Sequence, residues 1–222
     1  MLLMKAWMET RWRLLGLVTY LLIALAINYR NHAGPGVLTA LWLILTVFAM
    51  SLAGSGVKSQ APVGFSEGLA GSTQFTISLP VSRLRLLAVR ALFGLAETAL
   101  VTVAVGCMTW GLFPALRETT TLVDFTGLVL TTILFLIAPY CTHVFFVSWS
   151  DEPLSVLCAG FTLALVLFLC HNIAPGVDII RAFGLASPLR THRLPWAQLM
   201  ASVMLALVFS VAAVRVVQTR EY

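Results

Sequence analysis

The 222-residue chain is 59% hydrophobic and only 10% charged, with a mean hydropathy of +0.95 and a net charge of +5. So few polar residues cannot cover a water-soluble surface of this size, which excludes a soluble globular domain and makes a bilayer the fitting solvent. The basic excess forms no stripe interleaved with aromatics, which excludes nucleic acid as the expected partner.

In chain order, residues 1–13 place Lys5, Glu9 and Arg13 at i, i+4 and i+8, with Met4, Trp7, Met8 and Trp12 on another face. The pattern predicts an interfacial helix lying flat at the headgroups, or equally a charged flank to the first span. Six apolar runs reach the roughly 17–25 residues a helix needs to cross the hydrocarbon core. They lie at about 14–29, 37–57, 88–113, 126–149, 153–170 and 195–217. These runs predict an all-α membrane protein, one transmembrane domain over 1–222 with six transmembrane helices. The basic start, the apolar Leu14 to Ala26 and the Ala24-Leu25-Ala26 triplet also fit a signal peptide. A retained first helix is the simpler reading, because its removal leaves five spans and a poorer charge distribution.

Lys and Arg favour the cytoplasmic side of a membrane protein. With both termini cytoplasmic, that side holds Lys5, Arg11, Arg13, Lys58, Arg83, Arg85, Arg90, Arg215 and Arg220, against Arg30, Arg117, Arg181, Arg190 and Arg193 outside. Asn28, near the outer end of the first span, is expected to hydrogen-bond at the interface.

After the second span, Gly54-Ser55-Gly56-Val57-Lys58-Ser59 looks like the end of a phosphate-binding loop. The motif needs contiguous Gly-Lys-Ser/Thr at a strand-to-helix turn, whereas Val57 interrupts here and a membrane helix precedes. The chain therefore shows no ATP site of its own.

A polar island then runs from Lys58 to Arg90. Phe65, Leu69 and Phe75 can form an apolar edge beside Glu67, Ser72 and Gln74, although the glycines make this a poor helix in isolation. Pro80 breaks any helix and disfavours helical geometry at Leu79. Ser82 is placed to cap the next helix, whose Arg83, Arg85 and Arg90 face headgroups before the apolar run takes over.

Gln74-Phe75-Thr76-Ile77-Ser78-Leu79-Pro80-Val81-Ser82-Arg83, followed by Leu86-Leu87 and a basic residue entering the third span, resembles the permeases of type-2 ABC exporters. In that family the segment between spans two and three includes a cytoplasmic coupling helix ending in such a turn. Six spans, internal termini, a flat N-terminal helix and an interrupted last outer loop are similar as well. Many members carry an acidic, Gly-Thr-containing run before the turn; here only Glu67 is acidic and Gly71-Ser72-Thr73 stands alone. The resemblance implies that residues 58–87 couple to a separate ABC ATP-binding subunit through Phe65, Glu67, Gln74, Phe75, Leu79, Pro80 and Arg83. ATP and Mg would bind that subunit, so this chain would be no enzyme and would hold no cofactor. A second permease copy or a related permease would complete the path. The cargo class would be an amphipathic compound, peptide or lipid, exported through a bacterial or archaeal cell membrane.

Glu97 lies inside the third apolar run, where a carboxylate is costly enough to be paired, protonated or facing water. It stands at i+7 from Arg90, on the same helix face. Pairing through another span, lining a transport path and snorkelling toward the interface all remain open. Pro139 should kink the fourth span, as a structural feature or a hinge. Ser150 or Asp151 is expected to cap the fifth span, with Pro153 in its first turn.

Cys107, Cys141, Cys158 and Cys170 lie singly inside expected spans without disulfide or zinc spacing. They are expected to be buried apolar fillers. Cys141-x-His143 and Cys170-His171 offer sulfur and imidazole donors suited to haem or a metal, but packing is the expected role.

Between the fifth and sixth spans, Pro175-Gly176, Gly184 and Pro188 divide a segment whose Val177, Ile179, Ile180, Phe183 and Leu185 are too apolar for a solvated loop. Residues 171–194 resemble the family's outer re-entrant segment, with Asp178, Phe183 and Pro188 as a candidate outer gate. Irregular backbone at such depth needs protein or a water-filled cavity around it. A loop resting on the headgroups is the alternative.

Other functions predict other patterns. An ATP-independent carrier ought to show internal repeats, and none is visible. An intramembrane enzyme needs a nucleophile–base pair or metal cluster at helical spacing, and the sequence has neither. A purely structural membrane partner would bind no ATPase.

Overall fold

The computed structural model describes residues 11, 15–16, 18–19, 45–50, 82–149, 152–178 and 187–219. All regular structure among them is helical: α1 (Arg83–Leu112), α2 (Pro114–Thr119), α3 (Leu122–Trp149), α4 (Glu152–Ile173), a 3-10 turn (Pro175–Val177), α5 (Pro188–Thr191) and α6 (Trp196–Thr219). Residues 45–50 are helical too. The expected interfacial helix 1–13 apart from Arg11, most of the first two spans, residues 58–81 of the coupling segment, Asn28, Ser150 and Asp151 fall outside the described residues.

Local chemistry sets the helix ends. Ser82 caps α1, its hydroxyl accepting from the Arg85 amide at 3.3 Å. The helix therefore starts at Arg83, ahead of the apolar run. Pro114 cannot continue it, and the connection to α3 holds the short α2, which hydropathy alone does not predict. At the start of α3 the Asp124 amide donates to the Thr121 hydroxyl at 3.2 Å, and that hydroxyl donates to the Asp124 carboxylate at 2.7 Å. The acidic side chain in the first turn also suits the positive end of the helix.

Leu87–Leu112, Leu122–Trp149 and Trp196–Thr219 are each long and apolar enough to cross a membrane. They coincide with the expected third, fourth and sixth spans. Within α4 the apolar part, Leu157–Ile173, is shorter. The chain is thus an all-helical protein with the apolar helices of a membrane protein.

The centre of the bundle is α3, which packs against α6, α4 and α1. With α1 it is antiparallel: Trp110 meets Phe125, Gly106 meets Val129 and Gly94 meets Tyr140. With α6 it is parallel: the Ser202 hydroxyl donates to the Leu134 carbonyl at 3.1 Å, and Phe209 lies 5.5 Å from Phe145 between ring centroids. Residues 45–50 complete the core, with Leu45, Phe48 and Ala49 buried among Leu87, Val101, Val105, Leu136, Tyr140 and Ala206.

Outward faces are apolar as well. Leu92 and Leu100 on α1, Phe161 on α4 and Val208 on α6 are all more than half exposed, a pattern suited to lipid rather than water. Buried threonines on the spans return their hydroxyls to their own helix: Thr98, Thr102, Thr109, Thr132 and Thr142 each donate to a carbonyl four residues earlier.

One expectation changes. Of the four cysteines only Cys141 is buried; Cys107 is exposed, and Cys158 and Cys170 are intermediate. A thiol facing lipid loses nothing by leaving the core. Pro139 lies inside α3, where it removes the donor that would serve the Phe135 carbonyl.

Gly94 and Gly106 set how closely α1 approaches α3. A Cβ on Gly106 would come within 2.7 Å of a Val129 methyl, and one on Gly94 would collide with the Tyr140 hydroxyl. Nothing lies within 4 Å of a Cβ built on Gly111 or Gly160. Gly106→Val is expected to cost about 1–3 kcal/mol and to lower the unfolding midpoint in detergent by several degrees. Gly111→Ala and Gly160→Ala should not lower it, and equal loss in all three variants would contradict the close-packed seam.

Candidate functional site

One face of α1 carries Arg90, Ala91, Gly94 and Glu97, at spacings that stack them along two helical turns. Tyr140 of α3 lies over this face. Its hydroxyl donates to the Ala91 carbonyl at 3.1 Å, and its ring fills the space left by Gly94. The phenol is 1% exposed and the Glu97 carboxylate 5% exposed, while Arg90 is partly buried. Glu97 is thus held inside the bundle, not extended to the headgroups.

A second polar contact joins three helices. His143 is buried on α3, with Nδ1 against the Met50 carbonyl and Nε2 at 3.3 Å from the Ser155 hydroxyl of α4. A serine beside an imidazole is half of a nucleophilic pair. Ser155 is fully buried, however, so no substrate carbonyl could reach its hydroxyl. This arrangement suits helix packing. Among the described residues no group of three or more His, Cys, Asp and Glu side chains could hold a metal. The imidazoles of the two Cys/His pairs are committed elsewhere, His143 as above and His171 to Asp178 at 2.7 Å.

The segment after α4 is tied to the bundle at both ends. Asp178, fully buried, accepts from His171 in the last turn of α4. Ser187 caps α5 by accepting from the Leu189 amide at 3.4 Å, which suits the proline at the first helical position. Beyond α5, His192 adopts a left-handed backbone with φ 52° and its ring bonds Asp124 of α3 at 2.7 Å. Pro188 and Leu194 close over Gly127. Both His–Asp pairs set an exposed imidazole against a buried carboxylate.

Of the residues singled out from sequence, Glu97, Asp178 and Pro188 are all buried, the last two in the segment after α4. Arg83 opens α1. Phe65, Glu67, Gln74, Phe75, Leu79, Pro80 and Phe183 fall outside the described residues. Tyr140, Asp124 and His192 escaped sequence reading. A tyrosine in the middle of an apolar span was the one available signal for the first; the other two stand 68 residues apart and meet only through folding.

No family model, no curated protein and no solved structure matches the chain.

Removing the His192 ring should release α5 from α3. In His192→Ala, hydrogen–deuterium exchange over 188–194 is expected to rise several-fold, with amides in the middle of α1 unchanged. Unaltered exchange at 188–194 would show that Pro188 and Leu194 alone hold the segment.

Proposed function

We propose that this chain is the membrane-spanning permease subunit of a type-2 ABC exporter. It moves an amphipathic compound, peptide or lipid outward across a bacterial or archaeal cell membrane, driven by ATP hydrolysis on a separate nucleotide-binding subunit. The observation that carries this reading is the run Leu79-Pro80-Val81-Ser82-Arg83 leading directly into α1. Ser82 caps that helix, and its remainder is long enough to cross a bilayer.

Attachment to a rigid helix gives the polar island a mechanical use. A helix transmits displacement of its first turn along its whole length, so a partner pulling on residues 58–82 moves α1. Tyr140 and the glycine seam carry that movement to α3, and the parallel contact carries it to α6. ATP shifts the balance of two arrangements only by binding one partner geometry better than the other. Phe65, Glu67, Gln74, Phe75, Leu79, Pro80 and Arg83 form the docking surface in this reading. A second copy, or a related permease, supplies the other wall of the path. The segment holding Asp178 and Pro188 caps its outer end.

Affinity purification from membranes in mild detergent, with identification of what co-purifies, tests the proposal. An ABC ATP-binding subunit is the expected partner; its reproducible absence would end the permease reading. Phe75→Asp and Leu79→Asp should each weaken the association by about tenfold or more, with membrane insertion unchanged. Full association in both variants would move the dock elsewhere.

A further inference from the structure

We propose that the exposed indoles of Trp149 and Trp196 are the bundle's two phospholipid-headgroup anchors, one at each boundary of the bilayer, and that the midplane between them passes through Glu97. The proposal rests on the chain lying in a bilayer and stands apart from the transport reading.

Helix register supplies the distances. α3 and α6 run parallel with an offset of 68 residues, and Leu194 closes over Gly127, so Trp196 is level with Leu128. Trp149 ends α3, roughly 21 residues further along it. At about 1.5 Å per residue the two levels stand roughly 31 Å apart, which matches a hydrocarbon core of about 30 Å. Both rings are exposed, Trp196 at 65% and Trp149 at 51%. Tryptophan favours the headgroup boundary because its ring is apolar while its N–H seeks a polar partner. Trp110, resting on Phe125, lies within a turn of the Trp196 level.

The other helices respect the same two boundaries. On α4, Ser155 meets His143, which puts Phe161 level with Ile137 and His171 just past the level of Leu128. On α1, Gly94 meets Tyr140 and Gly106 meets Val129, so Arg85 is level with Trp149, and Arg117 in α2 lies beyond the Trp196 level. Leu92, Leu100, Phe161 and Val208, each more than half exposed, all fall between the boundaries. Arg90 and Arg215 stand within about 8 Å of the Trp149 level, inside snorkelling reach of the headgroups. Glu97, three residues past Gly94, is level with Ile137 and Ala138, about 15 Å from each boundary. Among the described residues it is the one Asp, Glu, Lys or Arg at that depth. A carboxylate is costliest there, so its surroundings must come from the bundle and not from the headgroups.

Fluorescence quenching tests the placement. Single-tryptophan variants of the full chain, with the other tryptophans changed to phenylalanine, are reconstituted into phosphatidylcholine vesicles brominated either near the headgroup or near the chain end. Trp149 and Trp196 should each be quenched about twofold more by the shallow bromine, and Phe161→Trp in a tryptophan-free chain about twofold more by the deep one. Should those backgrounds fail to fold, nitroxide labels on Trp149→Cys, Trp196→Cys and Phe161→Cys in a cysteine-free chain read the same depths, from collisions with oxygen against a water-soluble nickel chelate. Deep quenching of Trp149 or Trp196, or shallow quenching of Phe161→Trp, would overturn the placement. No quenching by either lipid would end the membrane reading itself, and the placement with it.

Discussion

Hydrocarbon offers no water to a stranded donor, acceptor or charge, and this single fact governs the inside of the bundle. Nearly every polar group on α1 and α3 is answered locally: threonine hydroxyls by their own helix, Tyr140 by the Ala91 carbonyl, His143 by Met50 and Ser155. Tyr140 has the widest reach of these contacts. It demands glycine at 94 and ties α3 to the backbone of α1.

The same constraint explains why α1 and α3 pack through small residues. Lipid competes with side chains on equal apolar terms, so helices gain by bringing their backbones close. Gly94 and Gly106 provide that approach, while Leu92 and Leu100 on the opposite side face outward. Polar groups also cluster at helix ends: Thr121, Asp124 and His192 meet at the start of α3, and His171 and Asp178 at the end of α4.

Topology follows from the segment after α4. Because α4 returns the chain to the end where α3 begins, and residues 187–195 lie against that end, α6 runs in the same direction as α3. The Asp124–His192 and Leu134–Ser202 contacts share one sequence offset, 68 residues, as parallel helices in register require. The contact of His192 with the buried Asp124 carboxylate holds the starts of α3 and α6 together.

Much of the architecture was legible from composition. Apolar runs of membrane length mark α1, α3 and α6 within a few residues, Ser82 announces its helix start, and Glu97 stands out because a carboxylate in hydrocarbon demands a reason. These features are local: helix formation in an apolar solvent depends on consecutive residues and their end caps. Folding alone decided which buried groups meet. Tyr140 over Gly94, His143 against Met50, and His192 against Asp124 join residues far apart in the chain, and helical periodicity carries no record of which faces will touch. Sequence determined that this chain would fill a membrane with helices; tertiary packing determined which buried polar groups would meet between them, because only a neighbouring helix could replace the water they left.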